Sequence, residues 1–469
     1  MSYRDVRGNP CSSASAIARD AAEQALWRMM SFYDTPLADL DLASAADPGW
    51  ALPHIMKAGF LLSLTEPALV AEAAGHLAQA QPLMAHATPR EQAHLHAVQA
   101  TLEGRWQAAC RIWSELLVDH PRDALALQWA QLWDFYRGDA LGLRQRPARA
   151  LPDWDVRDPL YAHVLSLWAF GLEENNLYAQ AEESGRRALD INPRVPWAVH
   201  AVAHVMDMQG RFEEGAAWLR LHQPAWAEGN GFAGHLWWHK ALFRLEAMDL
   251  EGVLRLLDTH LSGEQLQMTL QRLDAASLLW RLHLMGQDVA APCRALVQGW
   301  GLDDALGGSA TPGPGAATEN PLQQTPGHYA FNDVHAVLAL LGAGDSARAE
   351  SWVARCAEQA LLPSDASRNN HGMAREVGLP LMRGVCALAR GDADAATALI
   401  TPVLAQATRL GGSHAQRDLI QQTLLAAAAQ GRQRKLGHAL LNERLLAKPE
   451  TPLTRYWIDT LALPSQERA

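Results

Sequence analysis

Gly104-Arg-Trp106-Gln-Ala-Ala109-Cys-Arg-Ile-Trp113-Ser-Glu-Leu116-Leu-Val-Asp-His-Pro121 places a turn glycine, two aromatics, a small residue, a leucine and a closing proline at successive spacings of 2, 3, 4, 3 and 5. This is the pattern of the second helix of a helical hairpin. Ala109 lets it press closely on the first helix, Trp106 and Trp113 fill the seam, and Pro121 stops it. The pattern recurs at Tyr178, Ala181, Ala188 and Pro193, and Gly210, Phe212 and Gly215 stand 34 residues beyond Asn176, Tyr178 and Ala181. Looser copies run from Leu250 to Val253, Gly344 to Ala349, Gly391 to Ala396 and Gly431 to Ala439, with spacing stretched to 40 and 47. A plain helical bundle also has 3.6-residue periodicity, but it gives no reason for turn glycines to recur with matched aromatics.

A 34-residue recurrence with these offsets is the tetratricopeptide period. The expected fold is all-α: a tetratricopeptide-like helical-hairpin solenoid curved around a concave polar pocket. Apolar residues come in Ala- and Leu-rich stretches such as 393–407 and 419–430 rather than in alternating Val/Ile/Thr runs. Pro and Gly are too dense at 301–329 for a helix to persist, so N-terminal repeats are expected over 1–300 and C-terminal repeats over 330–469 of one continuous solenoid. The 301–329 stretch itself is then a lid or a linker, and 363–372 is a second loop.

Hydrophobic residues make up 49% of the 469-residue chain and charged residues 19%, a composition that buries a core. A net charge of -11 argues against nucleic acid or anionic lipid as partners. With no apolar leader and no run of eighteen apolar residues, neither secretion nor membrane spanning is expected, and the expected compartment is the cytoplasm. Cys11, Cys110, Cys293, Cys356 and Cys386 are scattered and form no Cys-x-x-Cys, so reduced thiols and no thiolate zinc site are expected.

The histidines carry the functional signal. His200/His204 and His235/His239 are pairs one helical turn apart. Counted back from Gly210, His200 and His204 take first-helix positions 5 and 9, which face the groove in such arrays, and Asp207 follows at position 12 on the same face. Glu173 takes position 12 of the preceding repeat, and His235 and His239 sit on the next groove helix. Imidazoles and carboxylates crowded in a partly dry groove must share protons, coordinate a metal or hold a polar ligand. A lone histidine is more often a satisfied core residue; the clustering is what favours function here. His200, His204, Asp207 and Glu173 are the candidate catalytic residues, by carboxylate-oriented acid–base chemistry or by metal-assisted hydrolysis. His200, His204, His235 and His239 are the candidate ligands of a divalent metal. No His-Glu-x-x-His occurs, and the spacing leaves both the use of a metal and the presence of an enzymatic activity open.

The candidate ligand-binding residues are His235, His239 and Trp238, then Asn332, Asp333 and His335 after the long loop, and His414, Arg417 and Asp418 behind the capping Ser413. Helix capping accounts for one Asn or Asp, not for all this polarity, and a helix N-terminus beside Arg is an anion seat. Arg375 and Glu376 are a weaker third set. Most of the 17 tryptophans read as seam fillers, with Trp238 beside the His pair placed to stack on a ligand. Gly229, Gly231 and Gly234 follow a helix rather than a strand, so this Gly-x-Gly-x-x-Gly reads as a turn and not as a dinucleotide fingerprint.

Phe-Gly-Leu-Glu-Glu (170–174), Val-His-Ala-Val-Ala-His (199–204), His-Leu-Trp-Trp-His (235–239), Phe-Asn-Asp-Val-His-Ala-Val (331–337), Glu-Val-Gly-Leu-Pro (376–380), Gly-Gly-Ser-His-Ala-Gln-Arg-Asp (411–418) and Ala-Leu-Leu-Asn-Glu-Arg (439–444) together resemble the tetratricopeptide repeat protein 38 family, collinearly from about residue 10 to 457. The resemblance implies an intracellular all-helical repeat protein; it carries architecture and no settled reaction. That family tends to have glutamate where Asp207 stands, so this sequence keeps the charge there on a shorter carboxylate. The expected function is binding of a small polar or anionic molecule in a His/carboxylate-lined pocket, with residues 332–335 and 414–418 facing the 200–239 cluster. The alternative is an open scaffold that grips a partner peptide.

Overall fold

The computed structural model describes residues 3–302, 325–363, 365 and 367–462, and the regular structure among these is helical apart from a two-residue pairing of Tyr3–Arg4 with Pro10–Cys11. Most of the expected 301–329 loop, residues 303–324, lies outside the described residues, as do Ser364 and Ala366 of the second.

The quoted hairpin is built as its residues dictate. Helix Pro89–Leu102 opens with a capping box, the Thr88 hydroxyl accepting from the Glu91 amide while the Glu91 carboxylate accepts from the Thr88 amide. Helix Trp106–Asp119 follows and buries Trp106, Ala109, Trp113 and Leu116, the positions the spacing marks. Between them Gly104 takes φ 76, in the left-handed region where a side chain is disfavoured. The same turn recurs at Gly138, Asn176, Gly210, Met248, Gly344 and Gly391, each at positive φ and each two residues ahead of the next helix. Gly138 marks a hairpin the sequence pattern did not show, and Met248 holds the conformation without glycine. Gly431, an expected turn residue, sits at φ -94 and is not left-handed.

The chain divides into two compact units. The first comprises Met1–Val205, Leu219–Ala233 and Ser367–Asn369, and the second Met206–Trp218, Gly234–Ala366 and Asn370–Ala469. In the first unit successive helices pack on one another around Trp113, Trp129 and Phe170. Helix Tyr161–Glu173 approaches helix Ala140–Ala150 so closely that a Cβ on Gly171 would stand 2.3 Å from the Leu143 carbonyl oxygen. In the second unit helix Thr269–Leu284 packs against Ala290–Gly299, Ala330–Gly342 and His414–Gln430. Trp280, fully buried, pins this arrangement by donating to the Thr423 hydroxyl at 3.0 Å.

No helix among the described residues is long and apolar enough to cross a membrane. All five cysteines are buried and unlinked.

Candidate functional site

In the first unit Glu173 ends helix Tyr161–Glu173, while His200 and His204 lie one turn apart on helix Pro196–Met208. All three are buried. Glu173 Oε2 stands 3.7 Å from His204 Nδ1, and the two Nε2 atoms of the pair are 2.9 Å apart with the rings near perpendicular. The shell is aromatic: Phe170 stacks on His200 at 5.4 Å, Trp197 lies 4.8 Å away, and Phe232 meets it edge-on at 4.9 Å. Glu173, Glu174 and His204 each offer an atom close enough to share one metal ion. The expected meeting of His200, His204 and Glu173 is therefore found within this unit.

The second unit repeats the motif with a different carboxylate. His235 and His239 lie on helix Ala233–Glu246, and His235 Nδ1 is 2.8 Å from Oδ2 of Asp274 on helix Thr269–Leu284. The His235 and His239 Nε2 atoms are 3.2 Å apart. Asp274 fixes the tautomer, because a carboxylate accepts from Nδ1–H and so puts the His235 lone pair on Nε2. Trp238 stacks on the His235 ring at 5.2 Å and donates from Nε1 to Ser277 Oγ, which itself donates to the Asp274 carbonyl. Two side chains thus hold the dyad in register. His239 is fully buried, and the His235 side chain keeps 16% exposure, enough for a ligand to reach it.

Asp207 has partners other than those its helical face suggests. It lies in the second unit, in a buried ion network with Glu246, Asp418, Arg444 and Lys448. Lys448 Nζ donates to Glu246 at 2.6 Å and stands 3.8 Å from Asp207, while Arg444 reaches both Glu246 and Asp418. Burial raises Asp207 to about 6, opposed by Lys448 and abetted by the charge of Glu246. Burial also works to raise Glu246 and Asp418, but Lys448 and Arg444 outweigh it and hold both below the usual carboxylate range.

The remaining candidates are spread through the second unit. Asn332 and Asp333 do not cap their helix; it starts at Ala330 behind Tyr329, and both residues are buried within its first turns. Burial lifts Asp333 to about 7, against hydrogen bonds from the Gly327 amide, Trp352 and Cys356. His335 donates from Nδ1 to the Phe331 carbonyl at 2.8 Å, and burial brings it down to about 4 although that bond and the Asp274 charge act to raise it. His335 and Arg417 line a hollow of about 20 Å³ that is otherwise mostly apolar, with Phe331, Leu381, Leu419 and Ile420 in its wall. It is room for a water rather than for a metabolite. Ser413 is the cap expected of it, in a box with Gln416, and His414 opens the helix behind it. Arg375 and Glu376 are exposed and pair with each other.

Asp274, Ser277, Glu246, Arg444 and Lys448 escaped the sequence reading. Asp274 is 39 residues from His235 and Lys448 is 202 from Glu246, so no local spacing links them. No protein-family model matches the chain.

Proposed function

We propose that this chain is a cytoplasmic helical-repeat protein of the tetratricopeptide type, allied to the tetratricopeptide repeat protein 38 family, that holds a small polar or anionic molecule at its His/carboxylate residues and moves a proton on it. The supporting observation is the Asp274–His235–His239 chain, in which a carboxylate oxygen, an oriented imidazole and a second imidazole follow one another at 2.8 and 3.2 Å. His235 Nε2 is the basic atom. With both rings protonated at Nδ1 neither Nε2 holds a proton at rest, so one taken from a bound molecule is shared between the two Nε2 atoms, and Asp274 stabilises the imidazolium that forms. The stacked Trp238 keeps water from one ring face, which strengthens the charge interactions inside. Rings this buried favour a small guest over the extended peptide of an adaptor, whose grip relies on exposed polar side chains.

Native mass spectrometry of protein purified without a His tag tests the reading. A co-purified small-molecule adduct is expected on the parent and on the exposed-surface control His438→Gln, and its loss from His235→Gln. An adduct that survives His235→Gln, or a parent that carries none and shows no thermal shift with any member of a carboxylate and phosphate panel, refutes it.

A further inference from the structure

We infer that His235 and His239 are ligands of a divalent transition metal, with Asp274 orienting His235 from behind; the inference rests on the ligand-holding site proposed above, and in the metal-bound state the ion would take the place of the shared proton at the two Nε2 atoms. Three features carry it. The two imidazoles lie at i and i+4 on one helix, the spacing by which a helix offers two nitrogens to one ion. Their Nε2 atoms are 3.2 Å apart. At a zinc–nitrogen distance of about 2.0–2.1 Å, tetrahedral ligands are separated by about 3.3 Å, so the pair already spans one edge of a coordination sphere. Finally, His235 Nδ1 is engaged by Asp274 Oδ2 at 2.8 Å, the outer carboxylate that a metal-bound imidazole characteristically has, and Trp238 and Ser277 brace that arrangement. In the first unit the carboxylate stands off at 3.7 Å, beyond hydrogen-bond reach, so the Asp274 set is the better-formed of the two.

A hydrogen bond between the two Nε2 atoms and a shared metal are mutually exclusive. The hydrogen bond needs a proton on one Nε2; the metal needs a lone pair on both, with each ring protonated at Nδ1. Two nitrogens from this one helix fill two of the four positions of a tetrahedral ion, and further donors would complete it.

The test uses the full chain without a His tag, stripped with EDTA, desalted and titrated with Co²⁺ and Zn²⁺. Expected are visible d–d absorption on Co²⁺ addition, its loss in His239→Gln, a 10–100-fold weaker affinity in Asp274→Asn, and no change in His438→Gln. Selective ¹⁵N-histidine NMR of the parent supplies a readout that needs no variant to fold: Zn²⁺ is expected to convert both Nε2 resonances to metal-bound, unprotonated positions. Protein that gives no Co²⁺ spectrum, a spectrum unchanged in His235→Gln and His239→Gln, or Nε2 resonances indifferent to Zn²⁺ overturns the inference. A metal-free chain that still carries its small-molecule adduct overturns the metal alone and leaves the ligand site standing.

Discussion

Asp333→Asn removes a proton-binding group whose folded-state pKa of about 7 lies far above the ordinary 3.8. Burial is the main cause, and the Gly327 amide, Trp352 and Cys356 oppose it without prevailing. Oδ1 accepts from Gly327 N and from Trp352 Nε1, each at 3.1 Å, and an asparagine carbonyl retains both bonds. Because the folded-state pKa is raised, the native chain binds this proton more tightly than the unfolded chain. The stabilising effect is complete below the unfolded value and is lost as pH climbs through about 7. At about 1.36 kcal/mol per pKa unit, full ionisation withholds about 4 kcal/mol from the native state. Asparagine does not titrate, so the parent is expected to lose roughly 2–3 kcal/mol more than Asp333→Asn between pH 5 and pH 8. Urea unfolding followed by tryptophan fluorescence at pH 5, 6, 7 and 8 measures the gap. A difference between the two proteins that stays constant across that range refutes the claim that the buried carboxyl holds its proton near neutrality.

Lys448→Met leaves Glu246 and Asp207 buried without their ammonium, and a cost of about 3–5 kcal/mol is expected at pH 8. It shrinks at pH 5 as the carboxylates protonate; equal losses by thermal denaturation at both pH values would count against the network. Gly171→Ala drives a methyl group into the Leu143–Arg144 backbone, which cannot swing aside as a side chain does. A loss of about 1–3 kcal/mol is expected in the same denaturation experiment, and a neutral outcome would show that the two helices have room to part.

The hairpins were legible because their determinants are local. A residue in the left-handed turn, a small residue and aromatics at fixed offsets each act within one or two helical turns, so Gly104 to Pro121 and its echoes set where helices start and which faces they bury. The pairing of His200 with His204 and of His235 with His239 is local too, since residues four apart on a helix must be neighbours. Tertiary structure decided which carboxylate each pair meets. Glu173 could be reached through repeat position, but Asp274 is selected by how helix Thr269–Leu284 packs beside Ala233–Glu246. Asp207 shares a helical face with His200 and His204, yet Lys448, far along the chain, supplies its counter-charge. The titration of Asp333 likewise belongs to the fold, because desolvation depends on everything packed around a group, and no spacing along the chain encodes that sum.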